Sequence, residues 1–165
     1  DDATRVIVIV SKPPQPQVLD KALARARDAG KPVVVLFLGA TVASAGNIHG
    51  VATLDEAAGA AVALANGETP GRTEPEPGPG LDAAIAKLAG TQTLVRGLFS
   101  GGTYCTEAQL VWRDAGLETW SNAPLDPAHA LPAGERAKGH SAIDLGADEF
   151  TVGRPHPMID PAMRI

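Results

Sequence analysis

Apolar positions in this chain come as short, dense runs that alternate with stretches of helical repeat. Thr4 to Ser11 (TRVIVIVS) is rich in β-branched residues and reads as a strand buried on both faces. Pro13, Pro14 and Pro16 end it and open a helix from about Gln17 to Ala29, with Leu19, Ala22, Leu23 and Ala26 as its apolar stripe. Gly30 stands where a helix C-cap favours glycine. Pro32 to Leu38 is a second buried strand, closed by Gly39 and Ala40. After a loop, Thr53 and Glu56 have capping-box spacing, and Ala57, Ala58, Ala61, Val62 and Ala65 are expected to face a core. Two strand-then-helix units in succession predict a parallel sheet with right-handed crossovers.

Asn66 to Gly80 (NGETPGRTEPEPGPG) has no apolar pattern and the composition of a linker. Leu81, Ala84, Ile85 and Leu88 then suggest one short helix. Thr93 to Phe99 reads as a strand, Ser100-Gly101-Gly102-Thr103 as the turn after it, and the segment to Ala115 as a helix burying Tyr104, Ala108, Val111, Trp112 and Ala115. Prolines and absent periodicity predict an irregular crossing from Gly116 to Gly139. Ser141 to Leu145 is the next strand. Asp160-Pro161 has the form of an N-cap with proline at the first helical position. The chain stops five residues later, so the second unit is expected to be unfinished, a piece of a larger protein. The fold class predicted is α/β, built from parallel-sheet units.

Composition narrows the setting. Hydrophobic residues make up 44% of the 165 but aromatics only 4%, so the core must be built from Ala, Val, Leu and Ile. A net charge of −5 argues against a nucleic-acid partner, which wants clustered Lys and Arg. The single cysteine, Cys105, excludes an intrachain disulfide framework. The longest apolar run, Val33 to Leu38, is too short to span a bilayer, and two leading aspartates do not resemble a signal peptide. A cytoplasmic protein with no membrane association is expected.

Candidate chemistry collects in two loops. Gly146 to Asp160 (GADEFTVGRPHPMID) holds Arg154 and His156, with Pro155 and Pro157 restricting the backbone on both sides of the histidine. Such stiffness aims a side chain at low entropic cost, although a rigid surface turn would use the same prolines. Arg154 offers a planar fork for a carboxylate or phosphate; His156 can transfer a proton or donate a hydrogen bond. Asp144 ends its strand in the usual position for a site residue, or caps the turn that follows. Ser100, Gly101, Gly102 and Thr103 lie between a strand and a helix, where free N–H groups suit an anion and glycines let it approach; an ordinary tight turn is the alternative. Cys105, in the first turn of that helix, reads better as a buried small hydrophobe than as a nucleophile, for want of a paired base. His140 and Asp144 share a strand face. Asp148 and Glu149 lack further ligands at metal spacing, so no metal is expected. His129 gives no signal.

These residues carry a family resemblance. "SKPP" after a strand, "KPVVVLFLG", "RGLFSGGTYCTEA", "SNAPLDP" and "GHSAIDLGADEFTVGRPHPMIDP" resemble the FdrA family of succinyl-CoA-synthetase-like proteins, from about Thr4 to Arg164. In that family a Rossmann domain of CoA-binding type precedes two flavodoxin-like ligase domains. The resemblance implies that residues 1–67 are the C-terminal part of a first ligase-type domain. Residues 68–90 would be a linker with a short helix, and 91–165 the N-terminal part of a second ligase-type domain. No stretch resembles the Rossmann domain, so no CoA or dinucleotide fingerprint is assigned. The synthetases pass a phosphoryl group through a histidine on a glycine-rich loop. His49, in "AGNIHGVATLDEA", does not reproduce that pattern.

What the resemblance implies for function is an oxamate carbamoyltransferase component in ureide breakdown, with phosphate as co-substrate and a small carboxylate or ureide as substrate. An acyl-CoA synthetase, using CoA and a nucleotide with magnesium, is the alternative; a noncatalytic scaffold subunit is a third. His156 would be catalytic, while Ser100, Gly101, Gly102, Thr103, Asp144 and Arg154 would bind substrate or phosphate. Further domains or partner subunits, and an oligomeric assembly, are expected. Physical placement adds one expectation: both loops follow strands of one parallel sheet, so they should meet at its carboxyl edge.

Overall fold

Val33–Phe37 is five consecutive apolar residues, and all five are buried because this strand has a neighbour on each side and a helix over each face. It belongs to a computed structural model that describes residues 1–71, 77–132, 135, 137–160 and 162. The chain divides into two compact units, Asp1–Glu76 and Pro77–Ile165.

In the first unit, β1 (Ile7–Ser11), β2 (Val33–Phe37) and β3 (Ile48–Gly50) form a wholly parallel sheet in the order β1-β2-β3. Helix α1 (Pro16–Arg27) connects β1 to β2, with proline in its first turn, where a missing N–H costs nothing. Leu19, Leu23 and Ala26 of this helix pack with Ile7, Ile9, Val33, Val35 and Phe37. Asn47 ties the sheet to the helix end by donating to the carbonyls of Ala26 and Lys31. Helix α2 (Leu54–Ala65) follows β3 and begins as its spacing predicts. The Thr53 hydroxyl accepts the Glu56 N–H at 3.1 Å, while Glu56 reaches back to the Ala52 N–H at 2.8 Å, one residue beyond the usual partner.

Three expectations for this unit are corrected. β1 is an edge strand, not buried on both faces: Val8 and Val10 remain 46% and 41% exposed. His49 lies within β3, paired with Val34, rather than in a loop. In α2 the buried residues are Ala57 and Ala60, whereas Ala58 is exposed and Val62 is 62% exposed. The run AAGAAVALA is apolar on every side, so it holds no polar mark of which side meets water.

In the second unit, β4 (Arg96–Phe99), β5 (Thr119–Ser121) and β6 (His140–Asp144) form another parallel sheet, with order β4-β6-β5. The last of these strands in sequence is therefore the central one, and Ser141 to Leu145 are all buried. Helix α4 (Gly102–Asp114) crosses from β4 to β5 and packs on the sheet, with Trp112 tilted against Phe99. Before β4 comes α3 (Leu81–Ile85), which buries none of its residues, so the apolar stripe drawn through Leu81, Ile85 and Leu88 covers no core. After β6 comes α5 (Asp148–Thr151), one turn within what reads as a loop.

The face of α4 is also a correction. Cys105, Thr106, Gln109 and Leu110 are buried, while Tyr104 and Val111 are more than half exposed and Ala115 is exposed. Polar residues can take the inner face because their bonds are made there: Gln109 Nε2 donates to the carbonyls of Cys105 and Ala123, and its Oε1 accepts the Leu125 N–H. The supposedly irregular crossing from Gly116 to Gly139 holds β5 and a 3-10 turn at Pro127–His129. A three-residue strand is too short to show a period. The expected N-cap at Asp160-Pro161 involves a proline outside the described residues, as do residues 72–76 of the linker.

Candidate functional site

All loops that leave the carboxyl ends of parallel strands emerge at one edge, where α/β sites form. Phe99 pairs with Asp144, so the turns after β4 and β6 leave the sheet side by side. The Leu145 N–H fastens them by donating to the Phe99 carbonyl at 2.8 Å.

Three polar atoms close round Gly146 at that edge. A Cβ at this position would lie 2.9 Å from His156 Nε2, 2.9 Å from the Ser100 carbonyl oxygen and 3.1 Å from Asp144 Oδ1. Gly146 is not among the glycines with positive φ, so what it supplies is space rather than an unusual backbone conformation. Residues from the turn after β4, the end of β6 and the proline-braced loop thus meet at one point.

Each of the two side chains is held by its surroundings. Asp144 is 8% exposed, and its Oδ1 accepts the Gly146 N–H at 2.8 Å. The next residue after β5, Asn122, grips the Asp144 backbone: its Oδ1 accepts the Asp144 N–H at 2.8 Å and its Nδ2 donates to the Asp144 carbonyl at 3.0 Å. Asn122 Nδ2 also donates to Glu149 Oε1 at 2.7 Å, joining the start of α5 to β5. Gln109 fixes the loop that carries Asn122, through Ala123 and Leu125.

His156 is half-buried between exposed Pro155 and fully buried Pro157. The Met158 N–H donates to its Nδ1 at 3.2 Å, which assigns the remaining ring proton of the neutral imidazole to Nε2, the atom beside Gly146. Ile159 and Asp160 donate their N–H groups to the His156 carbonyl at 2.8 and 3.0 Å, closing a turn behind it. Nε2 makes no hydrogen bond to a described residue and is not sealed from solvent.

The remaining expected residues lie on the same two loops. Gly101 is the N-cap of α4 in an extended conformation, Gly102 is its first residue and Thr103 is exposed. No side chain caps this helix, so its first-turn N–H groups are available to solvent or an anion. Arg154 is exposed on the same loop as His156, and its guanidinium has no partner among the described residues. Glu149 is engaged by Asn122, and no group of three or more His, Cys, Asp or Glu that could hold a metal occurs among the described residues.

Other sequence candidates lie elsewhere. His140 is at the opposite end of β6 from Asp144, where its Nδ1 accepts the Val95 N–H at 3.1 Å. Cys105 is wholly buried beside Ser121 Oγ and Gln109. His129 faces Glu118 at 3.4 Å and the edge of Trp120. It lines a cavity of about 420 Å3 with Arg113, Leu117 and Asp126, at the far end of α4. Asn122 is the residue that sequence reasoning passed over; an amide directly after a short strand is its only local signal.

No family model matches the chain. The chain is 39% identical over 168 aligned positions to the uncharacterized protein YahF of Escherichia coli (strain K12), an alignment that covers all of this chain and 33% of that protein. The chain thus spans about a third of the length of the curated relative it matches. Among the described residues no helix is long and apolar enough to cross a membrane.

Proposed function

We propose that this chain contributes the substrate site of an enzyme that moves a carbamoyl group onto phosphate, as an FdrA-like oxamate carbamoyltransferase component in the cytoplasm. The observation that carries the reading is the meeting of His156 Nε2, Asp144 Oδ1 and the Ser100 carbonyl at Gly146, beside the uncapped start of α4. The motifs shared with the FdrA family supply the reaction class. Further domains of the polypeptide, or partner subunits, complete the enzyme.

In this reaction a phosphate oxygen attacks the carbamoyl carbon of oxalurate. The carbon–nitrogen bond to the oxamate portion breaks, and that nitrogen takes up a proton; carbamoyl phosphate and oxamate are the products. The tetrahedral state gathers negative charge on the former carbonyl oxygen, which a preorganised N–H donor stabilises. His156 Nε2–H is such a donor, its ring held by the Met158 N–H. The start of α4, with Gly102 and Thr103, suits the attacking phosphate. Arg154, exposed on the same loop as His156, suits the substrate carboxylate or the phosphate.

The test is to supply oxalurate and phosphate to the full-length protein assembled with its partners. Carbamoyl phosphate and oxamate should appear in equal amounts, and His156→Ala should lower kcat/KM by about 100-fold, the lower end for loss of one oxyanion-stabilising donor. Thioester formation that depends on CoA and nucleotide would favour the synthetase instead. Neither activity in the assembled complex would favour a scaffold.

A further inference from the structure

We infer that the open edge of β1 seats a further parallel strand, apolar on both faces, supplied by the same polypeptide from outside these 165 residues. The inference concerns the first unit and stands independently of the reaction proposed above. Its basis is that the two edges of one sheet are finished differently.

In a parallel sheet every second residue of a strand turns both its N–H and its C=O towards the same neighbour. The Val33 N–H donates to the Asn47 carbonyl and the Val51 N–H to the Val35 carbonyl, so Asn47, His49 and Val51 face β2. Ile48 and Gly50 therefore point outward, and their N–H groups are taken. Ile48 exchanges a pair of backbone hydrogen bonds with Ala45, at 3.0 and 3.1 Å. The Gly50 N–H donates to Ser44 Oγ at 3.0 Å. The 38–47 loop thus covers the β3 edge, one of the ways a sheet edge is closed.

β1 has no such cover. The Ile7 N–H donates to the Pro32 carbonyl and the Ser11 carbonyl accepts the Leu38 N–H, so Ile7, Ile9 and Ser11 face β2. Val8 and Val10 turn their N–H and C=O groups outward, where they meet no partner among the described residues. Ile7–Ser11 also holds no charge and no proline, the usual devices that blunt an edge. Its side chains are short of a neighbour on both faces. Val8 and Val10 are exposed on one. On the other, a cavity of about 490 Å3 lies between Ile7, Ile9 and Val33 of the sheet and Ala22, Ala26 and Ala29 of α1.

A strand that fills both faces must be apolar at successive positions, as Val33–Phe37 is, and such strands belong to parallel sheets. The direction follows from the sheet itself, in which every pair is parallel. All strands among the described residues already have a place in one of the two sheets. The chain matches only 33% of the Escherichia coli protein, so a polypeptide of that length carries ample sequence for one more strand. It also carries enough for the crossover of a dozen or more residues that a parallel neighbour needs.

Amide hydrogen exchange in the unaltered full-length protein, read residue by residue, tests the inference. A neighbouring strand takes the N–H groups of Val8 and Val10 together. Both should therefore exchange at least about 100-fold more slowly than unprotected amides, and no faster than Ile48 and Gly50 at the covered edge. The slowing should be the same at every protein concentration. Free exchange at Val8 and Val10 would overturn the inference, and so would slowing at only one of them, which a passing loop gives. Slowing that is lost on dilution would also overturn it, because the edge would then be covered by a second copy of the chain. No variant is needed, so a failure to fold cannot obscure the result, and the readout is separate from any turnover.

Discussion

Asn122 holds Asp144 by both of its backbone polar groups, accepting from the N–H at 2.8 Å and donating to the carbonyl at 3.0 Å. A side-chain amide thereby continues the pairing of β5 with β6 one residue beyond the last backbone pair, Ser121 with Ala142. Asn122→Ala should cost about 1–3 kcal/mol of stability, since the Asp144 backbone loses two partners at a largely buried position. Chemical denaturation would measure this. Asn122→Asp keeps the acceptor but loses both donor contacts and sets a second carboxylate beside Glu149, so it should be no better than Ala.

Gly146 is kept small by its neighbours and not by its backbone angles. Gly146→Ala should strain this edge of the second unit, because the Ser100 carbonyl, a backbone atom, must give way along with His156 Nε2 and Asp144 Oδ1. The expected result is a lowered melting temperature, as overpacking gives, an altered His156 imidazole resonance in NMR spectra, and at least about a tenfold loss of turnover. Full activity in the alanine variant would show that the packing of His156 and Asp144 around Gly146 is not used.

Gly50 is the more severe case. A Cβ there would lie 1.8 Å from the Val42 carbonyl oxygen, and the obstacle is backbone rather than a mobile side-chain tip. Gly50→Ala should therefore move β3 or the 38–47 loop and destabilise the first unit by about 1–3 kcal/mol or more, as overpacking does. Amide exchange of β2 and β3, compared with the second unit, would locate the damage.

Cys105 has no exposed surface, and its neighbours are Ser121, Gln109 and the body of α4. A thiol reagent should label it only as fast as the second unit opens. Labelling in native buffer should thus be slow and should accelerate with denaturant in step with loss of helical signal. Immediate labelling would contradict the burial.

How much of this was legible in the residues depended on whether the pattern carried a phase. The run Val33–Phe37 could only be an interior strand, and Thr53 with Glu56 located the start of α2. Both parallel pairs, β1 with β2 and β4 with β6, were readable from strand-then-helix order. The inward face of α2 was not, because alanines surround it. That of α4 was not, because Thr106 and Gln109 are buried polar residues whose partners lie far along the chain. For the site, prolines flanking His156 marked a braced side chain, and strand ends marked Ser100 and Asp144. The grip of Asn122 depends on β5 pairing with β6, and three residues of strand leave no periodic trace.

The strand order of the second sheet has a consequence for how the chain is made. β4 and β5 are not paired with each other; each finds its hydrogen-bonding partner in β6, which comes after both. A ribosome delivering the polypeptide from its amino end must therefore release two open strands, with α4 between them, well before the strand that joins them. Until His140–Asp144 emerges, this sheet has no backbone ladder at all, and its assembly waits on contacts far apart in sequence. The nascent second unit should pass from unpaired to closed in one late step, and the same step brings Asp144 beside Ser100.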